Sequence, residues 1–368
     1  MNLLYISNLS NNIDAGLNWS VPASVKAQQQ YDNVLWMDLT KNAFQEHWEQ
    51  VSAYHNIKEF GDRITLNVLP KPFNHPDCVI FEGFYYLEHI VFARELRKNC
   101  IPYIIIPRGS LTETAFKNGG LLKRLKKRVA HWLLFDRFIY KTAAVQYLTK
   151  EEQKQSEKKY RIKSFIIPNG VVIPEINKEI FSDGIKGVFI GRQDIFQKGL
   201  DILLDAISDL SADLRKANFT LDIYGPPRYD VEKVSELIRT KHIGDIVVNH
   251  KRGVRGVEKQ QTLLNADVFF LTSRFEGHPM GLIEALSYGL PVFITRGSNM
   301  LEEVDKYDSG WTCEIEKESV VSALSQMLQE KHMFAEKSSN ARSLALNYGW
   351  NTLAAAFHKE LNMLINRL

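Results

Sequence analysis

The sequence predicts an α/β protein of two similar halves, each a parallel sheet flanked by helices. Three observations predict it. The chain is 368 residues long, more than one ordinary core fills, and length alone favours two domains of roughly 150 to 200 residues. Two series of short apolar runs follow one another with helical or loop segments between them. The first comprises residues 3–6, 34–37, 78–81, 103–106 and 145–148, and the second, after Asn169-Gly170, residues 187–190, 219–224, 246–248, 268–271 and 292–294. Runs that are apolar throughout suit strands covered on both faces, as in parallel sheets. Composition agrees, since 45% hydrophobic and 24% charged residues are the proportions of a packed globular protein and exclude a disordered or fibrous chain.

The run at residues 3–6 has no basic region before it and polar residues soon after, so it reads as a strand rather than a signal peptide. No stretch approaches the roughly 20 apolar residues that cross a bilayer. Cys78, Cys100 and Cys313 are scattered and odd in number, which excludes a disulfide framework and a metal-binding Cys-x-x-Cys pair and fits a reducing, cytoplasmic compartment. The net charge of +3, from 46 basic and 43 acidic residues, says little about a polyanionic partner. Residues 173–177 make a linker, and residues 350–368 form a helix with apolar residues at helical intervals. No short-period repeat points to a solenoid.

Residues 267–289 carry the densest chemistry. They run from a buried strand through the loop 273–278 to a helix with Pro279 at its first position and Gly289 just past its end. The free N–H groups and positive dipole end of such a helix face the loop and suit a diphosphate. Glu276 precedes this helix and Glu284 lies on its second turn, while Gly277 and Gly281 let a ligand come close to the backbone. In an open α/β sheet ligands bind beyond the carboxyl ends of the strands. There, Gly191-Arg192 and the Lys198 expected to open a helix over 200–207 place two cations by one strand end, as a clamp for a diphosphate or as solvated loop residues. Paired carboxylates also suit general acid/base hydrolysis, and a lone helical Glu is commonly just solvated. A helical Glu beside an anion-binding dipole argues against hydrolysis.

The spacing of Glu276, seven residues, then Glu284 resembles the signature of the family 4 retaining glycosyltransferases of GT-B fold, glycosyl transferases group 1. Ile167-Pro168-Asn169-Gly170-Val171, Gly191-Arg192 with Lys198-Gly199-Leu200, and Gly289-Leu290-Pro291-Val292 are similar to that family in order and distance. The resemblance covers residues 165 to about 350 and implies two Rossmann-like domains with parallel sheets facing across a cleft. Residues 1–168, joined by the helix 350–368, would bind the acceptor, and residues 169–349 the nucleotide sugar. It implies metal-independent hexosyl transfer with retention, from a UDP- or GDP-sugar to a hydroxyl of a saccharide or lipid-linked saccharide. The setting would be cell-surface polysaccharide or glycolipid synthesis, with no cofactor besides the donor. Arg192, Lys198 and Glu276 would be catalytic. Glu284 would hold the ribose, and Gly253 and Val254 would lie at the base. Amides of His278, Met280, Gly281 and Leu282 would face the phosphates or the sugar. His278 invites a catalytic role through its near-neutral titration, but the family's position there tolerates many residues. The loop 295–299 would border the donor sugar or be a plain turn.

The first half departs from the family pattern. One glycine, Gly16, stands where a pair is common, and Arg108-Gly109 replaces a His-Gly. A guanidinium is protonated at any working pH and cannot be a general base, so Arg108 binds a phosphate, orients substrate, or forms a structural salt bridge. Glu82, after the run 78–81, is the other candidate on the acceptor side. Residues 117–141 set Lys123, Arg124, Lys126, Lys127 and Arg128 beside Trp132, Leu133, Leu134 and Phe135. That pattern suits peripheral contact with the inner face of a membrane, or a domain helix with a solvated basic face. No nucleic-acid signature accompanies it. A sugar-nucleotide epimerase of the same fold, a pyridoxal-dependent phosphorylase and a non-catalytic nucleotide-binding module are the other classes compatible with these motifs.

Overall fold

The computed structural model describes residues 1–12, 16–41, 45–112, 134–176, 178 and 180–366. The chain divides into two compact units, residues 1–170 with 350–368, and residues 171–349. Each is an α/β unit built on one all-parallel sheet.

Among the described residues the first sheet has seven strands: β1 (Asn2–Ser7), β2 (Asn33–Asp38), β3 (Tyr54–Asn56), β4 (Cys78–Glu82), β5 (Tyr103–Ile106), β6 (Ala144–Tyr147) and β7 (Ser164–Ile166), in the order β3-β2-β1-β4-β5-β6-β7. Its strands are apolar on both faces because both faces are covered. Leu4, Ile6, Met37, Phe81 and Ile105 enter one core. Leu3, Tyr5, Trp36, Ile80 and Ile104 enter the other, together with Leu353, Phe357, Leu361 and Leu364 of the last helix, Trp350–Ile365. Alternate residues of one strand thus serve opposite cores, as a side-chain period of two requires.

The second sheet has, among the described residues, six strands: β8 (Ile185–Ile190), β9 (Phe219–Tyr224), β10 (Val247–Asn249), β11 (Val268–Leu271), β12 (Val292–Thr295) and β13 (Gly310–Cys313), in the order β10-β9-β8-β11-β12-β13. Strand order reverses between β8 and β11, and in the first sheet between β1 and β4. In an open parallel sheet such reversals open a crevice at the carboxyl ends of the strands.

Two expectations are corrected here. Pro279 is the residue before the helix Met280–Ser287 rather than its first residue. Lys198 does not open a helix over 200–207. It closes a short one, Ile195–Lys198, which Asp194 caps by accepting the Gln197 amide at 2.8 Å, and the next helix, Leu200–Asp209, begins after Gly199. Gly199 has φ +61°, and a Cβ there would lie 2.0 Å from the Thr272 carbonyl oxygen. The left-handed turn and the close packing both require glycine, and that packing brings the β8 and β11 loops together. Of the basic segment 117–141, residues up to 133 lie outside those described. Among the described residues no helix is long and apolar enough to cross a membrane.

Candidate active site

In the second unit the β8–β11 reversal gathers residues from three loops. Lys198, from the loop after β8, and Glu276, from the loop after β11, form an ion pair with Nζ 2.5 Å from Oε1, and both side chains are about nine-tenths buried. The Ser273 hydroxyl donates to the same oxygen at 2.6 Å. Oε2 of Glu276 accepts no hydrogen bond among the described residues. A desolvated carboxylate with one oxygen saturated and one open can take a hydroxyl from a ligand.

The β12 loop holds this carboxylate in place. Thr295 donates its hydroxyl to the Ser273 carbonyl at 2.6 Å, and the Asn299 side-chain amide donates to the Glu276 carbonyl. Gly297 lies so close that a Cβ would sit 2.2 Å from the Ser273 carbonyl oxygen. From the other side, Thr272 donates to the carbonyls of Lys198 and Gly199, at 3.1 and 3.2 Å. Arg274 forks onto Asp201, with both Nη1–Oδ1 and Nη2–Oδ2 at 2.8 Å.

Arg192 stands at the end of β8 but is exposed. It donates to the Gln197 side chain at 3.2 Å, and its guanidinium carbon lies 5.4 Å from the ring centre of Tyr229. Glu284, on the second turn of Met280–Ser287, is paired with Lys259 of the helix Gly256–Asn265. The expected amide donors are partly engaged, since Met280 donates to the His278 carbonyl and Leu282 to that of Pro279, each at 3.0 Å. Gly281 lies against the end of β8, where a Cβ would come within 3.5 Å of the Ile190 carbonyl oxygen. The half-buried His278 ring is centred 6.2 Å from that of Tyr348. After β10, Val254 is buried and Gly253 exposed. Beside them His250 stacks flat on Tyr224, with ring centres 4.2 Å apart, and its Nε2 lies 2.7 Å from Oδ1 of Asp222.

In the first unit, Glu82 ends β4 and Arg108 follows β5 with φ +51°. Arg108 Nε donates to Glu82 Oε2 at 2.8 Å, and Nη1 donates to Ser20 Oγ at 3.0 Å and to the Asn169 side chain. The pair is almost wholly buried, at 9% and 1% side-chain exposure. Oε1 of Glu82 has no hydrogen-bond partner among the described residues, and Glu82 lines a cavity of about 30 Å³ together with Tyr5, Gln28, Gln146 and Trp350. That space suffices for a water molecule with polar walls. Glu152 accepts the Gly109 amide at 2.5 Å and the Leu148 amide at 2.9 Å, and its burial holds its carboxyl above the usual range. Gly16 precedes the first helix at φ −57°, where any residue fits, and a Cβ would meet nothing within 4 Å.

Sequence reasoning missed Lys259, Arg274 with Asp201, and the Ser273 hydroxyl. A signal existed only for Ser273, three residues before Glu276, where a tight turn brings i and i+3 together. Among the described residues no group of three His, Cys, Asp or Glu side chains is placed to hold a metal ion.

The second unit belongs to the glycosyl transferases group 1 family, whose family model matches residues 174–344. One human relative, a component of phosphatidylinositol N-acetylglucosaminyltransferase, is 32% identical over 137 residues, which are 36% of this chain and 26% of that protein. The chain therefore spans about a quarter of the length of the curated relative it matches. Among solved structures, Alr3699/HepE of Anabaena in complex with UDP is similar with a TM-score of 0.71 at 16% identity, over 99% of this chain and 100% of that one. Sucrose-phosphate synthase from Thermosynechococcus elongatus is similar with a TM-score of 0.68 at 15% identity, over the whole of both chains. At these identities the likeness is one of fold, and the fold is GT-B, built from two Rossmann-like units.

Proposed function

We propose that the protein is a retaining hexosyltransferase that moves a sugar from a UDP- or GDP-sugar to a hydroxyl of a saccharide or lipid-linked saccharide, without a metal ion. The observation that carries this reading is the Lys198–Glu276 pair, held at the strand-order reversal of a unit that belongs to the glycosyl transferases group 1 family. A diphosphate settled there meets Lys198, Arg192 from the same strand end, and the amino end of Met280–Ser287. These groups stabilise the negative charge that grows on the leaving diphosphate, the electrostatic term that dominates many transfers. The open Oε2 of Glu276 accepts a hydroxyl of the donor sugar. Glu284 accepts from the ribose, and the base lies along Gly253 and Val254, met mostly by backbone. The amides of His278, Met280, Gly281 and Leu282 serve phosphate or sugar, those of Met280 and Leu282 by exchanging their present partners.

In the transfer step the bond from anomeric carbon to phosphate oxygen breaks, the acceptor oxygen bonds to that carbon on the same face, and the acceptor proton passes to the departing phosphate. Residues 1–168 with the last helix bind the acceptor. Glu82 and Arg108 act there as a fixed pair that shapes the floor of the site. A role in cell-surface polysaccharide or glycolipid synthesis draws support from the partial match to a protein named as a phosphatidylinositol N-acetylglucosaminyltransferase subunit, and the inner membrane face is proposed from the basic and aromatic pattern of residues 117–141.

The test begins with thermal shifts against UDP, GDP, ADP and their sugars, where a ligand at 100 times its dissociation constant stabilises by about 2.7 kcal/mol. Transfer from the stabilising donor is then followed with and without acceptor, and the anomeric configuration of the product is read by NMR. Donor consumed to an epimer without acceptor overturns transfer, an inverted product overturns retention, and activity lost to a chelator and restored by magnesium overturns metal independence.

A further inference from the structure

The two carboxylates of the β11 loop and helix are each matched by a lysine from elsewhere in the second unit, Glu276 by Lys198 and Glu284 by Lys259. The donor-site reading gives Lys198 a task and Lys259 none. Lys259 lies in the first turn of the helix Gly256–Asn265, directly after the Gly253–Val254 loop, and Glu284 lies on the helix that follows β11. Their side chains are one-quarter to one-third exposed, so the pair is open to solvent rather than sealed in the core. The ammonium engages Oε2 of Glu284, and Oε1 accepts no hydrogen bond among the described residues.

A glutamate reaching from a helix has several rotamers. An ammonium on one oxygen selects among them and leaves the other oxygen presented in a fixed direction. A ribose offers two adjacent hydroxyl donors, and a pre-set acceptor binds them without first losing side-chain freedom. We propose that Lys259 is a positioning residue for the nucleotide: by holding Oε2 of Glu284 it aims Oε1 at the ribose hydroxyls, and so makes binding depend on the ribose. This rests on the donor-site reading. Lys259 occupies the oxygen away from the sugar and remains in place when the nucleotide is bound.

The test compares binding of UDP, GDP and ADP, and of the 2′,3′-dideoxy form of whichever binds, to the wild type, Lys259→Met and Lys259→Arg by calorimetry. The wild type is expected to prefer the ribose form roughly tenfold, as the loss of a charge-assisted hydrogen bond implies. Lys259→Met should keep about twofold of that preference, and Lys259→Arg most of it. In transfer assays Lys259→Met should raise KM for the donor and leave KM for the acceptor unchanged. A Lys259→Met protein that weakens both nucleotides equally, with the preference intact, would show the lysine meeting phosphate or serving only the fold, and overturns the proposal. One that binds the ribose form more tightly than wild type would show a competing counter-ion, and overturns it too. A wild type that binds none of the three nucleotides overturns the donor-site reading itself, a result distinct from either of these.

Discussion

Arg274 grips Asp201 through both guanidinium nitrogens, each 2.8 Å from a carboxylate oxygen, and this fork ties the loop that carries Glu276 to the first turn of the helix after Lys198. Arg274 also donates to the Phe196 carbonyl at 2.7 Å. The two halves of the Lys198–Glu276 pair therefore hang on a second, partly exposed pair beside them. Arg274→Ala and Asp201→Ala should each lower kcat/KM roughly tenfold, the worth of about 1.4 kcal/mol. In a double-mutant cycle the combined variant should be no worse than the poorer single one. Additive losses would mean that the fork does not act as a unit.

Glu284→Ala, whose partner Lys259 is partly exposed, should leave the unfolding transition close to that of wild type, whereas Lys198→Ala leaves the largely buried Glu276 carboxylate unpaired and should lower it while the protein still folds. If Lys198 faces the leaving group as proposed, Lys198→Ala removes about 2.7 to 4 kcal/mol of barrier stabilisation and should cut kcat by two orders of magnitude or more. Glu284→Ala should cut kcat/KM to a similar degree. Near-full turnover by either folded variant, measured by product formation at saturating acceptor, would remove that residue from the site.

The buried Arg108–Glu82 pair makes a prediction about stability. Arg108→Ala strands a carboxylate that is 1% exposed, and stranding one partner of a buried pair costs about 3 to 5 kcal/mol. Replacing both, Arg108→Met with Glu82→Leu, should recover most of that loss, because no charge is left without a partner. Denaturant midpoints measure both. If Arg108→Ala unfolds like wild type yet transfers poorly, Arg108 meets the substrate directly.

Asp38 ends β2 fully buried, accepting from the Ser7 hydroxyl at 3.1 Å and the Leu9 amide at 3.0 Å, and burial pushes its carboxyl up to about 6 from an ordinary 3.8. Because the folded value lies above the unfolded one, the native state holds the proton more tightly between the two. The stabilising share is full below about pH 4 and fades as pH rises through 6. Unfolding free energies at pH 4.5 and 7.5 for wild type and Asp38→Asn should show wild type losing ground to the variant at the higher pH. A pH-independent difference would place the Asp38 titration elsewhere.

The central strands could be read from the sequence because a strand covered on both faces must be apolar throughout, as residues 3–6, 78–81, 103–106 and 268–271 are. The structure adds β3, β7 and β13, all at sheet edges, where one side of the strand has no neighbour and the apolar run is broken. Tyr54–Asn56 and Ser164–Ile166 are only half-buried throughout. Strand β10, the fourth edge, runs one residue later than the expected 246–248. In the candidate site, the placing of Glu276 before the helix that follows Pro279 and of Glu284 upon it was legible because strand, loop and helix adjoin in sequence. Lys259 was not, since its pairing with Glu284 depends on how two crossover helices are laid side by side, which no local pattern encodes. Arg108 showed its charge in the sequence but not its burial. Only the neighbouring ends of β4 and β5 supply the carboxylate that keeps it there.

The chain enters and leaves the second unit at one point. Val171 donates its amide to the Tyr348 carbonyl at 2.8 Å and pairs in parallel with Gly349. The second unit is thus a parenthesis within the first. On the ribosome, the segment that supplies Leu353, Phe357 and Leu361 to cover the seven-stranded sheet emerges after every residue of the six-stranded one. The later-encoded unit can close while the earlier one still waits, with an apolar face open, for its final helix.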